Sequence, residues 1–180
     1  MAPRLLHILR SNALRLALVA VVLGPAAAAA KDDPAAVIRR FKEKDPGFEK
    51  VFADAYGYAI FPTVGKGAIG IGAARGKGEV FERGVLVGRS TLTQVTVGFQ
   101  LGGQAYSEVI FFKDKTALDD FRRGNFEFNA QASAIAVTAR ASRDIAYNRG
   151  VAIATLGKGG LMYEASVGGQ KFSFKPLKSN

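Results

Sequence analysis

Basic side chains are the residues whose type and spacing suggest a chemistry, and that chemistry is binding to negatively charged groups. A first group falls within six positions of the N-terminal third of the chain: Arg39, Arg40, Lys42 and Lys44. Val37, Ile38 and Phe41 lie among them. A helix with this pattern is typical of a membrane-surface helix, and equally of a helix docked on a protein core with a solvated face.

A second basic group lies among glycines at predicted turns, and its members are Lys66, Arg75, Lys77, Lys158 and Lys171. Each cation near an anionic membrane contributes about 1 kcal/mol, so four or five give roughly 4–5 kcal/mol and reversible attachment. From the two groups we predict these lipid-binding residues: Arg39, Arg40, Lys42, Lys44, Lys66, Lys77 and Lys158.

Catalytic and metal-binding residue sets are sparse. The chain has no Cys and one His, His7. Without His7, a Ser-His-Asp triad, a Cys-His dyad and a His-ligated metal site are all excluded. The acids that could pair for glycoside chemistry are Glu79, Glu82, Glu108, Glu127 and Glu164. All five lie in strand-like stretches, and Glu82 adjoins Arg83, so we expect these acids on exposed sheet faces. We therefore expect no enzymatic activity, no metal and no cofactor.

A glycine motif, Gly65-Lys66-Gly67-Ala68-Ile69-Gly70, matches the G-x-G-x-x-G pattern of dinucleotide sites. Such a site needs a helix directly after the motif. Here alternating Ile and Gly follow, which form helices poorly. The motif therefore predicts a hairpin turn rather than a nucleotide site.

The first 30 residues predict a secretory signal peptide. Three Arg precede the apolar run at 16–23, which is too short to span a bilayer, and the small residues at 26–30 offer a cleavage site. The whole chain has 180 residues and a formal charge of +10. Cleavage after Ala30 removes three Arg and no acid, which leaves +7. We expect a periplasmic or secreted protein that associates peripherally with a membrane. Export argues against nucleic acid as a partner.

The elements that must position the basic residues are short helices followed by a sheet. Asp33-Pro34 predicts a capped helix that ends near Lys44, a second helix starts at Phe48, and Asp114 caps a third. After Gly57 we predict strands near 58–62, 67–74, 79–88, 92–101, 105–112, 126–139, 151–155, 161–167 and 170–175. Gly168-Gly169 predicts a tight hairpin. The fold class is α+β, mainly β: a glycine-rich antiparallel sandwich or barrel-like sheet with two or three short helices.

Four stretches together resemble the SYLF domain family, a lipid-binding module also linked to actin bundling. The resemblance covers roughly residues 53–177. It rests on the A-Y-G-Y-A-I-F stretch at 55–61, the glycine hairpin at 65–78, G-F-Q-L-G-G at 98–103 before S-E-V-I-F-F at 107–112, and G-K-G-G-L-M-Y-E-A-S-V at 157–167. Glu164 stands where the family pattern often has a small residue.

The resemblance implies a non-catalytic domain that associates with phosphoinositides or other anionic phospholipids. In the family an N-terminal amphipathic segment and basic residues carry lipid contact, which maps loosely onto the first basic group. The alternative is an envelope protein-interaction or structural domain with no lipid ligand. For an exported protein we do not expect actin as a partner, and no protein partner is indicated. The predicted organisation is a signal peptide at 1–30, a helical segment at 31–56 and a SYLF-like β-rich domain at 57–180.

Overall fold

A computed structural model describes residues 33–69, 71–97, 104–124, 133–158, 165–166 and 169–178. The predicted signal peptide lies outside the described residues and stays a prediction. The elements are α1 (Pro34–Lys44), α2 (Phe48–Asp54), β1 (Gly57–Ile69), β2 (Ile71–Glu82), β3 (Val85–Val97), β4 (Gln104–Phe112), α3 (Lys115–Arg122), β5 (Ser133–Ala136), a 3-10 turn (Ala141–Asp144), β6 (Val151–Lys158), β7 (Ala165–Ser166) and β8 (Gln170–Pro176).

The helices begin where their capping residues predict. The Asp33 carboxylate accepts a hydrogen bond of 2.6 Å from the Ala36 N–H, and Pro34 occupies the first helical turn of α1. The Asp114 carboxylate caps α3 in the same way, through the Ala117 N–H at 2.9 Å. All three predicted helices are confirmed.

The strands form one eight-stranded sheet in the order β7-β5-β6-β4-β1-β2-β3-β8. Every pair is antiparallel except β5 with β6. The mainly β, α+β class is confirmed. The described strands form an open sheet with β7 and β8 at its edges, and they do not close into a barrel.

Each face of the sheet carries its own helices. On the outer face α1 and α2 pack Phe41 and Phe48 against Ile60 and Phe111, all without solvent exposure. On the inner face α3 packs against a second cluster of buried apolar residues, which includes Phe112. The two packed layers bury apolar side chains on both faces of β1, β4 and β6, which makes this part of the sheet the rigid centre of the fold.

The sheet curls around its inner face. Two strands separate β1 from β8, so a flat sheet would hold their backbones about 14 Å apart. The rings of Phe61 on β1 and Phe172 on β8 nevertheless lie 5.7 Å apart, centroid to centroid. The edge strand β8 is therefore folded over the inner face, and the outer face of β2, β3 and β8 is left convex.

Two predicted turns are wrong. The chain does not turn at Gly65-Lys66-Gly67, because β1 continues through these residues and pairs with β2 as far as Ile69 opposite Ile71. Gly168-Gly169 does not join a hairpin either, since β7 pairs with β5 and β8 pairs with β3. Glycine supplied the turn signal at 65–67, yet an extended conformation is also open to it. Gly169 has a positive φ of 74°, so the chain does turn before β8, but this turn does not pair β8 with β7.

Two predicted strands are each divided between two strands. The predicted strand 67–74 holds the end of β1 and the start of β2, which pair antiparallel as far as Ile69 opposite Ile71. The predicted strand 79–88 contains a turn. Arg83 and Gly84 both have positive φ, 49° and 79°, between β2 and β3. Positive φ at both central residues matches the tight hairpin turn whose twist suits antiparallel strands. Arg is unusual at the first of these positions, and its guanidinium lies 5.1 Å from the centre of the Tyr56 ring.

Candidate functional site

The basic helix α1 is docked on the sheet. Its apolar residues Val37 and Phe41 have no solvent exposure. The Arg40 guanidinium donates a 3.0 Å hydrogen bond to the hydroxyl of Ser107, which in turn donates at 2.9 Å to the Pro62 carbonyl. Of the two interpretations that the sequence left open, the structure shows the docked helix.

The other cations of α1 differ in whether they form an ion pair or are exposed to solvent. Lys42 forms an ion pair with Glu49 at 3.1 Å. Arg39 and Lys44 are exposed. The structure therefore uses Arg40 to hold α1 on β4, and it leaves Arg39 and Lys44 at the protein surface.

The predicted turn cations lie within strands. Lys77 is exposed on β2. Lys158 ends β6, and its ammonium group donates a 2.5 Å hydrogen bond to the Thr63 hydroxyl on β1. Lys66 belongs to β1, but its side chain lies outside the described residues.

Strand register aligns cations that are far apart in the sequence. One continuous row of paired residues crosses six strands: Lys158, Ala105, Gly65, Arg75, Thr93 and Lys171. Two further rows of the same face cross β2, β3 and β8. The first row holds Lys77, Thr91 and Ser173, in that order of strands, and the second holds Glu79, Arg89 and Lys175.

These rows form a basic surface on the convex outer side of the sheet. Because side chains alternate between faces, the buried residues Ala74, Leu92 and Phe172 place their neighbours in each strand on this outer side. We call the surface the cationic face and define it by six residues: Arg75, Lys77, Arg89, Lys158, Lys171 and Lys175. Sequence reasoning noted Arg75 and Lys171 as turn cations and missed Arg89 and Lys175. The alternation of Lys171, Ser173 and Lys175 was the available signal.

Three cations of the cationic face lack a neutralising partner among the described residues. Within the described ranges Arg75, Lys77 and Arg89 form no ion pair. Glu79 is directly opposite Arg89, but Arg89 also faces Lys175 on its other side. Like charges directly opposite each other are unfavourable in a sheet, so Arg89 and Lys175 leave positive charge on this surface that Glu79 offsets only in part.

The centre of the long row is flat. A Cβ atom added at Gly65 would meet nothing within 4 Å, and Ala105 and Thr93 are its small neighbours in the row. Arg75 and Lys171 are two strands apart, which corresponds to about 10 Å. The surface can therefore receive several separate anionic groups side by side, and nothing in the row protrudes between the cations.

Two of the carboxylates considered for catalysis, Glu82 and Glu108, are held by hydrogen bonds from neighbouring side chains. Glu108 is fully buried on the inner face, and Gln170 donates a 2.9 Å hydrogen bond to it. The expectation of an exposed Glu108 is wrong, because the curl of the sheet covers its strand. Burial, with the nearby Glu108 charge, raises the pKa of Tyr106 in the same cluster.

The Glu82 carboxylate accepts a hydrogen bond of 2.7 Å from the Tyr56 hydroxyl and one of 2.6 Å from the Arg122 guanidinium. Glu127 and Glu164 lie outside the described residues.

No helix in the described ranges is long and apolar enough to cross a membrane.

Comparison with known proteins identifies the family. A model of the Ysc84 family, described as "Las17-binding protein actin regulator", matches residues 93–176. A curated relative, Beta cell expansion factor A from Aeromonas veronii, is 31% identical over 140 residues, which is 76% of this chain and 52% of the relative. The chain belongs to the SYLF-domain (Ysc84) family. The resemblance read from the sequence is confirmed.

The matched segment of the SYLF domain begins at Thr93, within the long row, and ends at Pro176, the last residue of β8. It therefore includes Lys158, Lys171 and Lys175 of the cationic face. Arg75, Lys77 and Arg89 precede it. The chain spans about half the length of the curated relative it matches.

Proposed function

We propose that this SYLF domain binds anionic phospholipid membranes peripherally through the cationic face. The observation that carries the proposal is the row through Lys158, Arg75 and Lys171, which brings cations from β6, β2 and β8 onto one side of the sheet. A convex surface with several exposed cations suits an extended plane of phosphates better than it suits a single small anion.

Charge magnitude supports reversible attachment. Cations near an anionic membrane contribute about 1 kcal/mol each. The six residues of the cationic face therefore supply a few kcal/mol, reduced by Glu79 and by salt. Binding of this strength requires several cations to act together, and Arg75, Lys77 and Arg89 lie on the adjacent strands β2 and β3 of one surface.

The proposal assigns the domain no catalysis. Glu82 and Glu108 are held by hydrogen bonds from neighbouring side chains, as expected of structural carboxylates. Binding then consists of contact between the cations of the sheet and phosphate groups, and no bond is made or broken.

The test is co-sedimentation of the purified chain with vesicles of phosphatidylcholine alone or mixed with phosphatidylglycerol. We expect binding to the mixed vesicles only, weakened by salt. The double variant Arg75→Gln, Lys77→Gln should lose most of this binding. The matched control is Lys113→Gln, Lys178→Gln, since both lysines are exposed. Lys113 lies at the other end of β4 from Ala105, roughly 25 Å along the strand.

Equal binding of the two double variants would overturn the assignment to the cationic face. A second candidate function comes from the family description, which names an actin regulator and therefore protein partners. An acidic protein surface would use the same cations. Unchanged recovery with neutral and anionic vesicles, together with a purified acidic partner that the Arg75→Gln, Lys77→Gln variant fails to bind, would establish that alternative.

We also propose that the chain is exported and that its signal peptide is removed after Ala30. The support is the sequence of residues 1–30. N-terminal sequencing of the protein recovered outside the cytoplasm should begin at Lys31. Recovery of the intact N-terminus in the cytoplasmic fraction would contradict it.

A further inference from the structure

The end of the sheet next to the cationic face carries no charge. Beyond the row of Arg75, the next row pairs Gly67 with Ala73 and Ala73 with Val95. The last row pairs Ile69 with Ile71 and Ile71 with Val97. The sequence holds no Lys, Arg, Asp or Glu from 67 to 74 or from 95 to 107. We call residues 67–69, 71–73 and 95–97 the uncharged end.

The described side chains of this end include an exposed apolar residue. Val95 is 67% exposed, and Ala73 beside it is also exposed. An apolar surface bordered by polar groups marks an interaction site.

The distances match the depth of a membrane interface. Two residues along a strand span about 6.7 Å, so the Ala73–Val95 row lies about 7 Å beyond Arg75 and the Ile71–Val97 row about 13 Å beyond it. Peripheral elements bury their apolar side about 5–10 Å into the boundary between head groups and acyl chains. With Arg75 at the phosphates, the uncharged end reaches that boundary.

The backbone of β2 is suited to this environment. Polar backbone groups must be hydrogen-bonded when they leave water. Strand β2 is paired with β1 on one side and with β3 on the other as far as Ile71. The central strand of the uncharged end can therefore enter the interface without exposing unpaired N–H and C=O groups.

We propose that the uncharged end inserts into the bilayer interface while the adjoining row, with Arg75 and Lys171, meets the phosphates of the head groups. This inference rests on the proposed function and adds the element that enters the membrane. The charge of the neighbouring cations indicates which partner contacts the uncharged end. A second copy of the chain would bring its own cations against Arg75 and Lys171, whereas an anionic membrane presents the opposite charge beside its apolar layer.

The test uses a single tryptophan, which the chain otherwise lacks. Val95→Trp in the full chain should shift its emission to the blue with phosphatidylglycerol-containing vesicles. Lipids with brominated acyl chains should quench it. Val85→Trp is the matched control, because Val85 is 65% exposed at the opposite end of the same strand. We expect no quenching there. Val95→Asp should weaken vesicle binding about tenfold or more, and Val85→Asp should not.

Each outcome decides between the two proposals. If the Val95→Trp chain sediments with anionic vesicles but is not quenched, or if both tryptophans are quenched equally, insertion is wrong and peripheral binding stands. If the two aspartate variants bind alike, insertion is likewise excluded. If the wild-type chain ignores anionic vesicles, the proposed function fails and the inference with it. A dimer without vesicles that Val95→Asp dissociates would assign the uncharged end to a second copy.

Discussion

Gln170 on β8 donates its 2.9 Å hydrogen bond to Glu108 on β4, although three strands separate these two in the sheet. The amide group also lies 3.4 Å from the Tyr106 hydroxyl. Both Gln170 and Glu108 are without solvent exposure. The contact joins the edge of the curled sheet to its centre, so it fixes the curvature that spreads the cationic face.

Removing this contact should destabilise the fold. In Gln170→Ala a buried carboxylate loses a donor, and we expect the free energy of unfolding to fall by about 1–3 kcal/mol. Urea denaturation measures it. Ser173→Ala, on the exposed side of the same strand, is the control and should change it by less than about 0.5 kcal/mol. Equal stability of the two variants would show that the contact does not hold the curl.

Alanine substitution at two glycines of neighbouring strands should reduce the stability of the fold by very different amounts. A Cβ at Gly78 would lie 2.6 Å from the Ile60 carbonyl oxygen and 2.6 Å from a ring carbon of Phe61. A Cβ at Gly65 would meet nothing within 4 Å. We expect Gly78→Ala to cost about 1–3 kcal/mol of unfolding free energy and Gly65→Ala about 0.5 kcal/mol or less. Thermal unfolding of both variants is the measurement, and a reversed order would contradict the packing of β1 on β2.

Acid should weaken the contact of Glu82 with Tyr56 and Arg122. The hydrogen bond from Tyr56, and then that from Arg122, hold the pKa of Glu82 below its ordinary value of 4.5. A group whose pKa is lowered by folding stabilises the protein above its unfolded pKa, and that contribution is lost as the pH falls through the folded pKa. Glu82→Gln should therefore be less stable than wild type near neutral pH, and the difference should shrink in acid.

Urea denaturation at several pH values measures this difference. Glu49→Gln, an exposed acid on α2, is the control and should give a small effect throughout. A difference between Glu82→Gln and wild type that stays constant from neutral pH into acid would show that the Glu82 carboxylate is not the group responsible.

Neighbouring cations of the proposed membrane surface should contribute additively. Arg75→Gln and Lys77→Gln each remove about 1 kcal/mol, so the double variant should bind anionic vesicles about 30-fold more weakly than wild type. Titration at low salt gives the four dissociation constants of wild type, the two single variants and the double variant. The loss should diminish as salt is added, because screening weakens the interaction in every variant. A salt-independent loss would point to misfolding.

Local signals were enough to predict the helices but not the turns of the sheet. Asp33 and Asp114 act within one helical turn, so their capping role can be read from neighbouring residues. Gly65 sits inside a strand because Arg75 of β2 and Ala105 of β4 pair with it, and Gly67 pairs with Ala73 of β2. Pairing between strands therefore determined that these glycines adopt a strand conformation rather than a turn.

The candidate site was predicted only in part for the same reason. Lys77 and Lys158 were named, and they lie on the cationic face, but the sequence offered no means of aligning them with Lys171. That alignment depends on the register of strands far apart in the chain. Arg40 was named as a lipid contact, and its hydrogen bond to Ser107 depends on where α1 docks.

The pairing of β8 with β3 has a consequence for the timing of activity. Strands β1, β2 and β3 follow one another and can pair as soon as they are made, whereas Gln170 must find Gln94 across a long stretch of intervening chain. Lys171 and Lys175 arrive with that late step. A partly synthesised polypeptide therefore lacks the complete cationic face, which forms only once β8 has paired with β3.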